Sequence, residues 1–311
     1  MANATVGVGT YAGEAARPYV AAAVLSADTI ANGYISVLEN VHSKAVLRKF
    51  SGAAITAASC TFTTPTSGQL VLGEAVLAAS ALQVNEQVCN KDLRATWEGM
   101  QMRGQSSNAP ADFTSYVAQY VAAKVAEGIE LNLWQGNFDA NGSGTGGAAY
   151  TSFDGICQKL KAGYNAGTMQ QLAGATSASN ILDRLAGLTA EAPTAIAGDP
   201  NAKIFMSRGS AQLYYQALAT TYNQSFLNDG LVARYAGYDI ITPAGMPNDA
   251  FILSRGENLY FGTDLLTDHI QAAVLDLTGV TGDDVTRVIM KFSGGTQVVD
   301  AASAGFAYRV S

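Results

Sequence analysis

The most constraining feature of the chain is a row of apolar residues at strict four-residue spacing: Phe113, Val117, Val121, Val125, Ile129 and Leu133. That spacing suits an α-helix with one buried stripe. Asn108 is a suitable cap, Pro110 falls in the first turn, and Asp112 suits the positive end of the helix dipole. The spacing predicts a helix over about 109–134, with Tyr116 and Tyr120 widening the stripe. At about 24 residues it would be roughly 35 Å long. On a helix of 3.6 residues per turn each such step drifts by about 40°, so the stripe winds about halfway round in five steps. A helix of this kind packs different faces at its two ends. It behaves as a spar crossing a sheet rather than as one stave of a bundle.

The composition limits what can surround that spar. Hydrophobic residues make up 48% of the 311, which excludes a disordered chain. Charged residues make up 14%, against roughly 25% in an ordinary soluble domain. Eighteen basic and 25 acidic side chains give a net charge of −7, so there is no basic excess to hold nucleic acid by its phosphates. No apolar run approaches the roughly 18 residues of a transmembrane helix. The opening MANATVGVGT has neither a charged n-region nor an apolar h-region and does not read as a signal peptide.

Motifs for catalysis or metal binding are weak. Cys60, Cys89 and Cys157 are odd in number and widely spaced, and read as reduced, mostly buried thiols. The two histidines, His42 and His269, read as structural, and no G-x-S-x-G elbow supplies a nucleophile. Gly142–Gly147 matches G-x-G-x-x-G by letter, but it follows a helical segment instead of a strand, so it reads as a loop. The overlapping Asp139-x-Asn141-x-Ser143 opening of a calcium loop fails at its twelfth position, which is Tyr150. Asp264, Asp268, Asp283 and Asp284 are the only clustered carboxylates, at strand ends and turns where aspartate has local reasons to sit. No catalytic residue, cofactor site or metal site is expected.

The order of elements is more informative. Residues 1–18 read as an extended arm, and 19–40 as a short helix with a turn at Asn32-Gly33. Lys44–Phe50 and Ile55–Phe62 are β-prone runs joined at Ser51-Gly52, and a turn cluster at 63–68 leads into a short strand, Gln69–Leu72. This stretch has too little bulky apolar material for a core of its own, so it reads as a projecting hairpin whose edges invite another chain. Ala81–Asn90 reads as a strand and Lys91–Glu98 as a short helix. After the spar come helices at 153–162 and 179–190, the latter capped by Ser179 or Asn180. A strand at 203–207 then runs into a helix at 209–220. Strands follow at 234–242, 250–255, 258–265, 269–277, 285–292, 297–300 and 304–310, with Ser293-Gly294-Gly295 as a hairpin turn. The fold class is α+β, with one long helix and no βαβ rhythm.

This order resembles that of the major capsid proteins of tailed bacteriophages, whose fold is named after phage Hong Kong 97. The segments that carry the similarity are KIFMSRGSAQLYYQAL (203–218), GYDIITPAGMP (237–247), ENLYFGTDLLTD (257–268) and VTRVIMKFSGGTQVV (285–299). The order of elements covers the full chain.

The resemblance implies an N-terminal arm with a short helix (1–40), an extended β-hairpin loop (41–77), and a peripheral domain (78–149 and 276–311) with its spine helix at about 109–134. It also implies a central α/β axial domain (150–275) and C-terminal peripheral strands. The implied function is self-assembly, as pentamers and hexamers, into an icosahedral shell around a double-stranded DNA genome that is enclosed without specific binding. Scaffolding, portal or decoration proteins would be further partners. No membrane is implied; the location would be the virion, with assembly in the host cytoplasm. Some members carry a scaffolding segment ahead of the arm, whereas here the arm begins essentially at Met1. Some members also crosslink a hairpin lysine to an asparagine of a neighbour. Lys44, Arg48 and Lys49 are the inter-subunit contact candidates here, read as charged edge residues meeting a neighbour's acidic patch. Two other readings are the shell of an encapsulin-like nanocompartment and a soluble enzyme.

Overall fold

The computed structural model describes residues 9–12, 27–51, 71–91, 113–138, 150–162, 169–222, 234–264, 271–277 and 282–310. The chain opens with β1 (Gly9–Ala12), a one-turn helix α1 (Asp28–Ala31) and β2 (Ser36–Leu38). Then come β3 (Lys44–Ser51), β4 (Val71–Ala78), β5 (Ser80–Cys89) and the long helix α2 (Phe113–Gln135). The middle holds α3 (Ile156–Ala162), β6 (Met169–Ala173), α4 (Ile181–Ala190), β7 (Ala202–Met206) and α5 (Arg208–Tyr222). The last third is mostly strand: β8 (Arg234–Tyr235), β9 (Tyr238–Ile241), β10 (Ala250–Arg255), β11 (Leu259–Thr263), β12 (Gln271–Asp276), β13 (Val285–Val298) and β14 (Gly305–Val310).

The α+β class holds, in two six-stranded sheets and a two-stranded ribbon, β3–β4. The first sheet runs β1-β12-β13-β11-β2, with β5 on the opposite edge of β13. The second runs β6-β14-β10-β7-β9-β8. Sheet membership crosses the expected 150–275 boundary, because β11 pairs with β13 in the first sheet and β14 lies between β6 and β10 in the second. One βαβ crossover is present, β7–α5–β9, with the two strands parallel. The sequence reading did not anticipate it.

The four-residue row does what its spacing requires. Val117, Val121, Val125, Ile129 and Leu133 are all buried against the first sheet's inner face, where β13 contributes Val288, Met290, Phe292 and Val298. Toward the C-terminus of α2 the buried face widens to take in Ala126, Glu130 and Trp134, as a drifting stripe demands. Tyr120 departs from expectation: it is 47% exposed and does not widen the stripe. The N-cap expectations at Asn108, Pro110 and Asp112 lie outside the described residues, as do the Lys91–Glu98 helix and the 142–147 glycine run.

Strands β7 and β10 are buried on both faces, which explains their nearly continuous apolar sequences. Phe205 and Ile252 point into the core beneath α2, while Ile204, Met206, Phe251 and Leu253 point into a second core closed by α4 and α5. Trp134 meets Phe205 with ring centroids 5.4 Å apart. The second sheet is thus a partition shared by two cores, which makes the body one unit.

Three local expectations are corrected. Ser293-Gly294-Gly295 is not a turn but lies within the unbroken 14-residue β13. Its glycine serves close approach: a Cβ on Gly295 would overlap the Ala78 carbonyl, and one on Gly262 opposite would overlap the Leu77 side chain. The single strand expected at 234–242 is a hairpin, β8–β9, turning at Ala236 (φ 49°) and Gly237 (φ 91°). Asn180 does not cap α4 with its side chain. Its amide faces backward, accepting from the Ser177 amide at 2.8 Å and donating to the Ala175 carbonyl at 3.1 Å.

Candidate functional site

The candidate site is the ribbon β3–β4 together with its root. The two strands pair antiparallel from Lys44↔Ala78 to Ser51↔Val71. The first expected strand is therefore present, but its partner is Val71–Ala78 in place of Ile55–Phe62, which lies outside the described residues together with the Ser51-Gly52 turn. Side chains alternate across the ribbon. One face carries Lys44, Val46 and Arg48 opposite Ala78, Val76 and Glu74, all exposed. On it Val46 is 50% exposed, Leu72 46% and Val76 45%; Val46 and Val76 are directly opposite each other, and the Arg48–Glu74 pair stands between them and Leu72. The other face turns to the body and carries Ala45, Leu47 and Lys49 opposite Leu77, Ala75 and Gly73. Leu77 is completely buried at the root.

The candidate residues separate by face. Lys49 is tied down within its own chain: its ammonium donates to Asp300 Oδ1 at 2.7 Å. Its stem crosses Gly73, where a Cβ would stand only 3.0 Å from the Lys49 Cγ. Arg48 lies on the opposite, exposed face, 4.0 Å from Glu74 with both side chains more than half exposed. Lys44 shares that face and is exposed.

Asp300 is a junction the sequence reading missed. Its carboxylate also accepts from the Ser303 hydroxyl at 2.6 Å and the Ala302 amide at 3.1 Å, capping the one-turn helix Ala301–Ser303. Asn258 brackets its backbone, accepting from the Asp300 amide at 2.8 Å and donating to its carbonyl at 2.9 Å. Partial burial works against the charge, but Lys49, Ser303 and the Ala302 amide outweigh it and hold the carboxyl below its usual range. The signal was local: an aspartate three residues ahead of a serine, beyond a strand end, is a turn-capping pattern.

The root is pinned to β11. The Val41 amide donates to the Thr263 carbonyl at 3.1 Å, Asn40 bridges to Asp264, and His42 Nδ1 lies 2.9 Å from Asp264 Oδ2. Asp264 is buried and His42 is mostly exposed. The structural reading of His42 thus acquires a definite partner. Asp284 anchors the far end of β5, accepting from Asn90 Nδ2 at 2.9 Å, while Asp268 and His269 lie outside the described residues. Cys157 is buried, which pushes its thiol far up, whereas Cys89 is exposed, contrary to expectation; Cys60 lies outside the described residues.

Beside the root, a groove of about 710 Å³ runs between α2 and β5. Leu82, Val84, Val125, Ile129 and Phe153 line it, and its polar members are Gln83, Glu86, Tyr120, Lys124, Asn132 and Ser152. Among the described residues there is no group of three or more histidine, cysteine or acidic side chains that could hold a metal ion, and no helix long and apolar enough to cross a membrane.

No protein-family model and no curated protein matches the chain. Solved structures do. A chain of the satellite phage P4 procapsid, in a structure that includes the size determination protein Sid, superposes with a TM-score of 0.62 at 12% identity, covering 95% of this chain and 90% of that one. A chain of the capsid of a native GTA particle gives 0.58 at 14% identity, covering 93% and 91%. A chain of the cyanophage A-1(L) capsid gives 0.51 at 10% identity, covering 90% and 92%. At such identities the likeness is one of fold, and it extends over nearly the whole chain.

Proposed function

We propose that the chain is a shell-forming major capsid protein of a tailed bacteriophage, with the Hong Kong 97 type of fold. The observation that carries this reading is the likeness to a P4 procapsid chain over 95% of the sequence. The reading assigns α2 as the spine helix and β3–β4 as the extended loop. It assigns residues 1–40 as the arm, 78–149 with 276–311 as the peripheral domain, and 150–275 as the axial domain. The work of such a protein is structural and not catalytic. Copies assemble as pentamers and hexamers, with scaffolding, portal and decoration proteins as candidate partners, in the host cytoplasm. The shell encloses DNA without specific binding, in keeping with a net charge of −7.

Contacts between copies follow from the faces of the ribbon. Lys44 and Arg48, on its exposed face, are the proposed inter-subunit residues, while Lys49 anchors the ribbon to its own body. Electron microscopy and sedimentation of the expressed protein test the reading. Hollow particles or capsomers are expected, and a monomer that persists at high concentration would sink it. Nucleic acid, rather than an enzyme, inside particles from the native source separates a virus from a nanocompartment.

A further inference from the structure

We infer that Asn32-Gly33, at the end of α1, is a self-modifying site: the Asn32 amide hydrolyses to a carboxylate without an enzyme, the docked fold holds that reaction back, and the product unfastens α1. The site is independent of the shell-forming reading.

The chemistry follows from the residue pair. The Gly33 amide nitrogen attacks the carbonyl carbon of the Asn32 side chain. A nitrogen–carbon bond forms, the bond to Nδ2 breaks, and the amide proton leaves with Nδ2 as ammonia. Water, the only co-reactant, then opens the resulting succinimide ring to aspartate or to isoaspartate. The exchange is ammonia out and water in, with nothing oxidised or reduced. Gly33 favours the attack because it sets no side chain beside the nitrogen. Asn32 and Gly33 are both exposed, so water reaches them.

Three features of the fold oppose the attack. The Gly33 amide is occupied, donating to the Ile30 carbonyl at 3.0 Å. Asn32 has a ψ of −1°, which nearly eclipses the Gly33 nitrogen with Asn32's own and turns it away from the side chain. The departing amide is held as well: Asn32 Nδ2 donates to Asp28 Oδ1 and to the Asp28 carbonyl, each at 2.8 Å. All three are released together when the last turn of α1 opens, so the site reacts through the open state.

The product acts on the same contacts. Asp28 Oδ2 accepts from the Ala244 amide at 3.3 Å and lies 3.5 Å from the Arg208 guanidinium. Asp28 thereby fastens α1 to the loop between β9 and β10 and to the start of α5. A neutral amide that donated to Asp28 gives way to a second carboxylate four residues on, which has no proton to donate and repels the first. The isoaspartate form also adds a methylene to the backbone of a turn closed by the Gly33–Ile30 bond and by the Tyr34 amide on the Thr29 carbonyl at 3.1 Å. Either product loosens the fastening that Asp28 provides.

Ageing of the full-length chain at mildly alkaline pH tests this, with peptide mass mapping and an isoaspartate assay as readouts. Conversion at Asn32 is expected to be about tenfold or more slower in the folded chain than in the same chain in urea. Equal rates in the two, or no conversion in urea, overturn the inference. Asp28→Ala, shown by circular dichroism to be folded, is expected to convert several-fold faster than the folded wild type, and an unchanged rate overturns the hold by Asp28. The effect of the product is read apart from the chemistry in Asn32→Asp, which makes one product directly. Hydrogen exchange at Ala244 and in α1 is expected to be several-fold faster there, with β7 and β10 unchanged. Wild-type exchange at Ala244 and in α1 overturns the unfastening.

Discussion

Lys49 and Asp300 stand 251 residues apart in sequence and 2.7 Å apart in space, and they join the ribbon β3–β4 to the turn between β13 and β14. The ribbon is a two-stranded element, which has little stability by itself. Its inward face therefore needs anchors, and among the described residues these are the Leu77 side chain in the core, the His42–Asp264 contact at the root and the Lys49–Asp300 bridge toward the far end of β3. Of these the bridge is farthest along β3 from the root, so it limits how freely the ribbon swings.

Lys49→Ala is expected to loosen the ribbon while changing global stability little, by about 0.5–1 kcal/mol for a partly exposed pair. Hydrogen exchange should show the effect, with amides of β3 and β4 exchanging faster and those of β7 and β10 unchanged. Equal acceleration throughout would mean that the bridge holds the body and not the ribbon.

Asp300→Asn is expected to cost more, about 1–2 kcal/mol, because the cap on Ala302 and the Ser303 bond weaken with the bridge. The pH dependence has a definite sign. The folded carboxyl titrates below its unfolded value, so its contribution is fully present above about pH 4 and is lost as pH falls through the folded value. Denaturant unfolding of wild type and variant between pH 6 and 3 should therefore converge at the acid end. A gap that stays constant down to pH 3 would exclude the ionised carboxylate as its source.

Glu130→Ala should be among the most destabilising single changes in α2. The buried carboxylate accepts from the Thr29 amide at 3.0 Å and from Trp134 Nε1 at 3.2 Å, and it caps α1, whose own N-cap residue, Ala27, offers no side-chain bond. Removing it leaves buried donors without that acceptor, at about 2–4 kcal/mol. Thermal unfolding reads the loss. The fluorescence of Trp134, which is fully buried and bonded to Thr29 at 2.8 Å, should shift to the red as water enters.

Features governed by periodicity were the ones legible in the sequence. The row from Phe113 to Leu133 marked the long helix because every fourth side chain needed the same core, and β7 and β10 declared themselves through their apolar runs. What escaped depended on distant backbone. Ser293-Gly294-Gly295 has the letters of a turn, yet Gly295 is small because the Ala78 carbonyl passes over it, a neighbour more than 200 residues earlier. The β8–β9 turn was hidden because Ala236 takes a positive φ usually left to glycine, asparagine or aspartate. Lys49 was grouped with Lys44 and Arg48 by charge, although alternation places it on the other face, where Asp300 waits.

Gly295→Val is expected to dislodge the root, since a Cβ there overlaps the Ala78 carbonyl and the neighbouring backbone of Ala79 lies within 3.2 Å. Overpacking of this kind typically destabilises by about 1–3 kcal/mol. Because β13 continues through this position, strain there should open the β4–β5 junction before it breaks the sheet. Limited proteolysis near Ala79, with the far-ultraviolet spectrum retained, is the expected signature.

Deleting residues 44–72 gives the most direct separation of folding from assembly. The cut joins Ser43 to Gly73 and keeps Leu77, which fills the root, and Ala79, which bonds Ser43. The lost side chains are exposed or half-buried where described, except that Asp300 loses Lys49. Neither core cluster contains a residue of β3, so the body should remain folded and soluble, with stability reduced by about 1 kcal/mol for the lost bridge. Assembly should fail, because the deletion removes Lys44, Val46, Arg48 and Leu72 from the face offered to a neighbour. Sedimentation and thermal unfolding of the shortened chain check the two halves separately. An unfolded product would show that the ribbon belongs to the core, and particles of wild-type size would show that shells close without it.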